Sequence, residues 1–305
     1  MSLESGTPTA PGTPGTPGLT ETAGRVAPRR FVHRFLGRKV NVLAAGFLFV
    51  VTLLALLAPW LAPHDPLTQD IPAAHLPPFS PDHLLGTDIL GRDVLSRMLY
   101  GARVAGQAAL VSVLIGMGLG VIPGAMAGYL GGWYDAVLSR IADTVLSFPP
   151  LLLAMAIVGV MGTNLTNAML AIGLVFAPRF FRVVRSSVIS VREETYIEAS
   201  RSIGTSTAKI IRRHVFPNAL SPLIVQISLA CGFAILAEAS LSYLGLGVNP
   251  PDPSWGRMLQ EGRESLFYTK WPLVIPGIAI ALSVLACNLL GDGVRDSMGD
   301  ERGHK

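Results

Sequence analysis

The sequence predicts an all-α membrane protein with six transmembrane helices and both termini on one side. Three observations predict it. Half of the 305 residues are hydrophobic and only 14% are charged, against about 25% in an average soluble domain. Runs free of Asp, Glu, Lys and Arg recur at the length a bilayer demands, roughly 20 helical residues for a core of about 30 Å. The cations are unevenly shared between the two sides of those runs, which sets orientation.

Residues 1–39 read as a tail. Its first part holds GTPTAPGTPGTPG, which cannot bury a core and is expected to be disordered. Arg25, Arg29, Arg30, Arg34, Arg38 and Lys39 follow as a basic border. Residues 40–62 form the first span, too long and too late in the chain for a cleaved signal peptide. Residues 63–103 are then extracytoplasmic. Within them GTDILGRDVLSRMLYGAR (86–103) places Val94, Leu95, Met98, Leu99 and Ala102 on one helical face. Asp93 and Arg97 form an i,i+4 pair on the other face. This segment reads as a helix lying in the membrane interface, there either to cap the bundle or to contact a partner.

Residues 104–292 hold five more spans. Val104–Tyr134 is the second, and its glycines suit close helix approach in lipid, with Gly116 and Gly120 in a GxxxG. The uncharged stretch from 144 to 178 suits two short spans, broken at GTNLTN (162–167). Pro149 and Pro150 are expected to distort the third span, either opening backbone groups along a translocation path or kinking it for packing alone. Asp135, Arg140 and Asp143 flank the preceding turn and are expected to pair with each other. The fifth span runs from His214 to about Gly245 and the sixth from Trp271 to Gly291. Between them, residues 252–268 form a second amphipathic helix, with Trp255, Met258, Leu259, Gly262 and Leu266 on one face. Residues 293–305 are a C-terminal tail.

With cytoplasmic termini, eighteen of the 24 Lys and Arg fall inside and six outside. The asymmetry places residues 188–217 in the cytoplasm. This loop contains YIEASRSIGTSTAKIIRRHVFPNA (196–219), far longer than a connection between two spans needs. Glu193, Glu194, Ile197, Glu198 and Arg201 fit one helix, and Gly204 punctuates its end. Thr205 or Ser206 caps a second helix. There Ala208, Ile211 and Val215 face one way and Lys209, Arg212 and Arg213 the other. Pro217 ends that helix and opens the fifth span.

Several function classes fall away. The basic residues border apolar runs and form no patch with aromatics, which argues against nucleic-acid binding. Cys231 and Cys287 sit singly in apolar runs, so neither a disulfide framework nor a metal site is expected. No cofactor motif is present. The chain lacks G-x-x-x-x-G-K-[ST] and also H-E-x-x-H, so it is not expected to be an enzyme. An ion-coupled secondary transporter stays open as an alternative, although no internal repeat is visible. Glu238 is the one acid within an apolar run. It is a candidate gate or path residue or a structural polar contact, or a hydrated residue at the outer interface.

The cytoplasmic segment resembles the binding-protein-dependent ABC importer permeases, whose pattern is E-A-A-x3-G-x9-I-x-L-P. Glu198, Ala199, Gly204 and Pro217 stand at that spacing, while Ser200, His214 and Phe216 depart from it. Residues 86–103, SFPPLLLAMAIVGVMGTNLTNAMLAIG (147–173), EASLSYLGLGVNPPDPSWGRML (238–259) and NLLGDGVRDSMGD (288–300) are similar to the second permease subunit of dipeptide and oligopeptide importers. The resemblance covers about residues 35–300. It implies a type I ABC importer permease fold in a bacterial inner membrane and transport of di- or oligopeptides, with nickel or another small solute as the alternative cargo. It implies pairing with a homologous permease subunit, two ATPase subunits that hydrolyse ATP, and an extracytoplasmic solute-binding protein. Glu198, Ala199, Ser200, Arg201, Gly204 and Pro217 would couple the chain to the ATPases. Trp255, Arg257 and Arg92 would face the binding protein. Glu238, Pro149 and Pro150 would line the path or its gate.

Overall fold

A computed structural model describes residues 28–195, 197, 202, 204–206, 209 and 216–299. Among these the chain is helical with no strand. The helices are α1 (Pro28–Gly37), α2 (Lys39–Leu61), α3 (Val94–Leu130), α4 (Gly132–Leu146), α5 (Pro150–Met161), α6 (Leu165–Arg192), α7 (Phe216–Tyr243), α8 (Trp255–Glu264) and α9 (Trp271–Gly299). Five of them are long and apolar enough to cross a membrane, and α4 with α5 passes the same test only as a pair, bent by 93° at its break. The side chains that face outward along these helices are apolar, as lipid contact requires: Leu43, Leu114 and Val160 are all exposed.

The bundle is built around α3, α6 and α7, with α2 and α9 on one flank and α5 on the other. The tightest seam joins α3 to α6. Gly116, Gly120, Gly124 and Gly128 recur every fourth residue along α3 and meet Phe176, Ala177, Phe181 and Arg185 of α6. A Cβ on Gly124 would lie 2.6 Å from the Phe181 carbonyl oxygen, and one on Gly128 would lie 2.8 Å from that of Arg185. Only glycine admits backbones this close. Lipid offers little hydrophobic drive for helix pairing, so close packing of this kind replaces it. The GxxxG read at Gly116 and Gly120 is thus half of a longer stripe.

The bundle has two unlike ends. Residues 62–93 and 244–270 form the loop end. There Asn249 Nδ2 donates to the carbonyl of Thr163, which ties the α5–α6 turn to the same end. The tail end carries α1, the α3–α4 turn and the C-terminal end of α6. Arg38 and Asp296 pair there, so the two described chain ends lie together.

Four expectations are corrected. Residues 94–103 are not a separate surface helix but the first turns of α3, whose 37 residues extend about 55 Å at 1.5 Å each. That exceeds a bilayer core, so the charged turns stand clear of it. Asp93 does not pair with Arg97. It caps α3 by accepting from Ser96 N at 2.8 Å. Asp135 and Asp143 do not pair with Arg140. Their partners are Arg185 and Arg182 on α6. The expected C-terminal tail begins late, because α9 continues to Gly299 with Gly293 packed against Asn41 of α2.

Candidate coupling and translocation site

α6 leaves the bundle at Arg192, whose Nη1 donates to the Tyr129 carbonyl 3.0 Å away and so anchors the exit to α3. Ile197 follows, fully buried in the main apolar cluster. Its amide donates to the Glu194 carbonyl at 2.9 Å. Gly204 is exposed, with φ +76° and nothing within reach of an added Cβ. Its glycine identity is therefore a backbone requirement and not a packing one. Lys209 N donates to the Ser206 carbonyl at 3.0 Å. Pro217 lies in the opening turn of α7, where its missing N–H costs nothing. Glu198, Ala199, Ser200 and Arg201 lie outside the described residues.

Pro149 and Pro150 fall at the break between α4 and α5. Pro149 is the cap and Pro150 the first residue of α5. They start a helix and redirect the chain at the 93° break between α4 and α5, a disturbance of the kind the sequence predicts there. α5 has 12 residues, about 18 Å, too short to cross a bilayer alone.

Glu238 on α7 is 1% exposed. Its Oε1 accepts from Ser242 Oγ at 2.6 Å, and that Oγ accepts in turn from Val248 N at 3.0 Å. The carboxylate is thus turned into the packing of the loop after α7, not hydrated at an interface. Trp255 is 3% exposed. Its Nε1 donates to the Met98 carbonyl at 3.1 Å, and its ring lies against Gly101 of α3.

Arg92 is buried in a charged cluster. Its Nε donates to Asp88 Oδ2 at 2.7 Å and its Nη2 to Glu261 Oε2 at 2.6 Å. Arg97 Nη2 reaches the same Glu261 oxygen at 2.9 Å. Arg257 Nε donates to Glu261 Oε1 at 3.2 Å. So Arg92 and Trp255, expected to face a binding protein, are turned inward by partners of their own. Only Arg257 retains appreciable exposure. Desolvating these cations demands paired acids, and that is what Asp88 and Glu261 provide.

Two residues escaped the sequence reading. Glu261 shares its carboxylate among three arginines, and the only local signal was its i,i+4 spacing from Arg257. Arg179 ends the uncharged stretch before it, and its guanidinium lies 5.4 and 5.5 Å from the ring centroids of Phe176 and Phe233. Among the described residues no acid lies within ion-pair distance of it.

Residues 116–299 match the family described as the binding-protein-dependent transport system inner membrane component. Residues 29–78 match the N-terminal transmembrane domain of oligopeptide transport permease C. The chain belongs to this family of inner-membrane transport components, and it is a multi-pass bacterial inner-membrane protein. It is 41% identical over 271 residues to the glutathione transport system permease protein of Pectobacterium atrosepticum, covering 88% of this chain and 90% of that one. It is 43% identical over 263 residues to the dipeptide transport system permease protein of Alkalihalophilus pseudofirmus, covering 85% and 86%. A probable D,D-dipeptide transport system permease of Escherichia coli K12 is 41% identical over 269 residues, covering 88% and 90%. In fold, the chain is similar to the MetNI methionine ABC transporter in an inward-facing crystal form. The TM-score is 0.53 at 19% identity, covering 65% of this chain and 94% of that one.

Proposed function

We propose that this chain forms half of the translocation path of an ATP-driven importer of di- or oligopeptides. It pairs with a homologous permease subunit, two ATPase subunits and an extracytoplasmic solute-binding protein. The relatives' names, which include dipeptide and glutathione transport, support the cargo class. The observation that carries the coupling role is the exposed left-handed turn at Gly204. It stands between Ile197, which is locked into the core, and the start of α7.

In this reading the tail end is cytoplasmic, as the count of cations suggests. The segment around Glu198, Ala199, Ser200 and Arg201 docks on an ATPase, and Gly204 sets its angle. Closure of the two ATPases draws the docked segments together. The pull passes to α6 through Ile197 and to α7 through Pro217. It rocks the bundle between two rigid arrangements. At the loop end the binding protein meets Arg257 and the exposed Phe267 and Tyr268. Glu238 holds the loop after α7 in place as part of the outer closure. The break at Pro149 and Pro150 lets α4 and α5 move as separate pieces.

Gly204→Pro tests the coupling. Proline fixes φ near −65° and cannot adopt the turn. The expected result is loss of peptide uptake and of ATPase co-purification, with normal membrane insertion. Unchanged uptake would overturn the coupling role.

A further inference from the structure

Three side chains from separate parts of the α2–α3 connection meet where α2 hands over to α3. His64 follows the end of α2, His83 sits in the connecting loop, and Asp93 is the cap of α3. Their ligand-bearing atoms all lie within 4.8 Å of one another. His83 Nδ1 is 3.0 Å from Asp93 Oδ1, and His64 Nδ1 is 3.9 Å from the same oxygen. Metal–nitrogen and metal–oxygen bonds of about 2.0–2.2 Å put neighbouring ligands of a tetrahedral zinc ion about 3.3 Å apart. The two observed separations bracket that spacing.

The surroundings are arranged to hold these groups. Asp93 Oδ2 is fully used, accepting from both the amide and the hydroxyl of Ser96 at 2.8 Å. That leaves Oδ1 directed at the two imidazoles. The Ser96 hydroxyl also accepts from His64 N at 3.1 Å, so a single serine fixes the carboxylate and the backbone of the more exposed histidine. Outer contacts of this kind orient metal ligands. The imidazole rings lie side by side with centroids 4.9 Å apart. Among the described residues no hydrogen bond engages His64 Nδ1, so a plain hydrogen-bonded pair between His83 and Asp93 does not explain its position.

We propose that His64, His83 and Asp93 bind one divalent first-row transition ion, with zinc the best match to two imidazoles and a carboxylate. The ion is held through His64 Nδ1, His83 Nδ1 and Asp93 Oδ1. His83 then carries its proton on Nε2, and solvent takes the fourth position beside the part-exposed His64. The site clamps the α2–α3 connection, joining positions 19 and ten residues apart. Spacing alone hid it, because the ligands converge only through the fold.

The test uses the full chain in detergent, purified through a tag without histidine, with zinc as the probe. Equilibrium dialysis should give one zinc per chain, and cobalt in its place should give the visible absorption of a tetrahedral site. His64→Ala leaves the bond between His83 and Asp93 intact, so the metal-free protein should unfold at an unchanged temperature. That variant should bind zinc at least tenfold more weakly, and His83→Ala likewise. His75→Ala, a change in the same loop end, should not alter binding. Less than one zinc per chain at saturation, equal affinity in His64→Ala, or an equal loss in His75→Ala would overturn the site.

Discussion

The two ends of the bundle handle charge in opposite ways. At the loop end, Asp88, Arg92, Arg97 and Glu261 form a cluster in which the arginine side chains are no more than 2% exposed. At the tail end, the pair of Arg182 with Asp143 is about half exposed on both sides. Arg38 with Asp296 is similar. A buried cluster tolerates no missing partner, because any charge left alone stays out of water. Exposed pairs exchange with solvent and contribute little. The loop end is therefore fixed in one arrangement, while the tail end can re-pair at small cost. That is the end where the segment around Gly204 emerges.

Breaking the loop end should give the largest effect. Glu261→Ala leaves Arg92 and Arg97 without a shared acid, and about 3–5 kcal/mol of stability should be lost. Thermal unfolding in detergent reads this directly. A loss under about 1 kcal/mol would erase the contrast between the ends. Asp135→Asn comes next. Asp135 takes two bonds from Arg185, one of them at 2.7 Å from Nη2 to Oδ2, and both side chains are partly exposed. Such a two-pronged pair should cost about 1 kcal/mol when broken. Asp143→Asn should shift stability least, within about 0.5 kcal/mol. A drop as large as that of Glu261→Ala would mean that the tail end is as rigid as its counterpart.

Much of the fold was readable because lipid imposes length. α2, α7 and the start of α9 fall within two residues of the apolar runs read as spans, since a span must cover the bilayer core. The beginning of α3 was not readable for the same reason. Arg97 looked like a residue facing water, but Glu261, 164 positions later, neutralises it inside the protein. Trp255 likewise looked like a surface aromatic, because its acceptor on Met98 arrives from another helix. Pro149 and Pro150 were correctly placed at a disturbance, yet sequence alone did not distinguish a kink within a helix from the start of a new one. Gly204 was legible as a turn glycine, and its φ of +76° is a backbone state that favours glycine.

The stripe of glycines along α3 has one more implication. Where its glycines face main chain, small sliding between α3 and α6 meets steep repulsion from the carbonyls of Ala177 and Phe181. The two helices then behave as a single thick strut. A displacement applied near Ile197 reaches the opposite membrane face almost undiminished, and whatever bending the transport cycle demands is taken up by their neighbours.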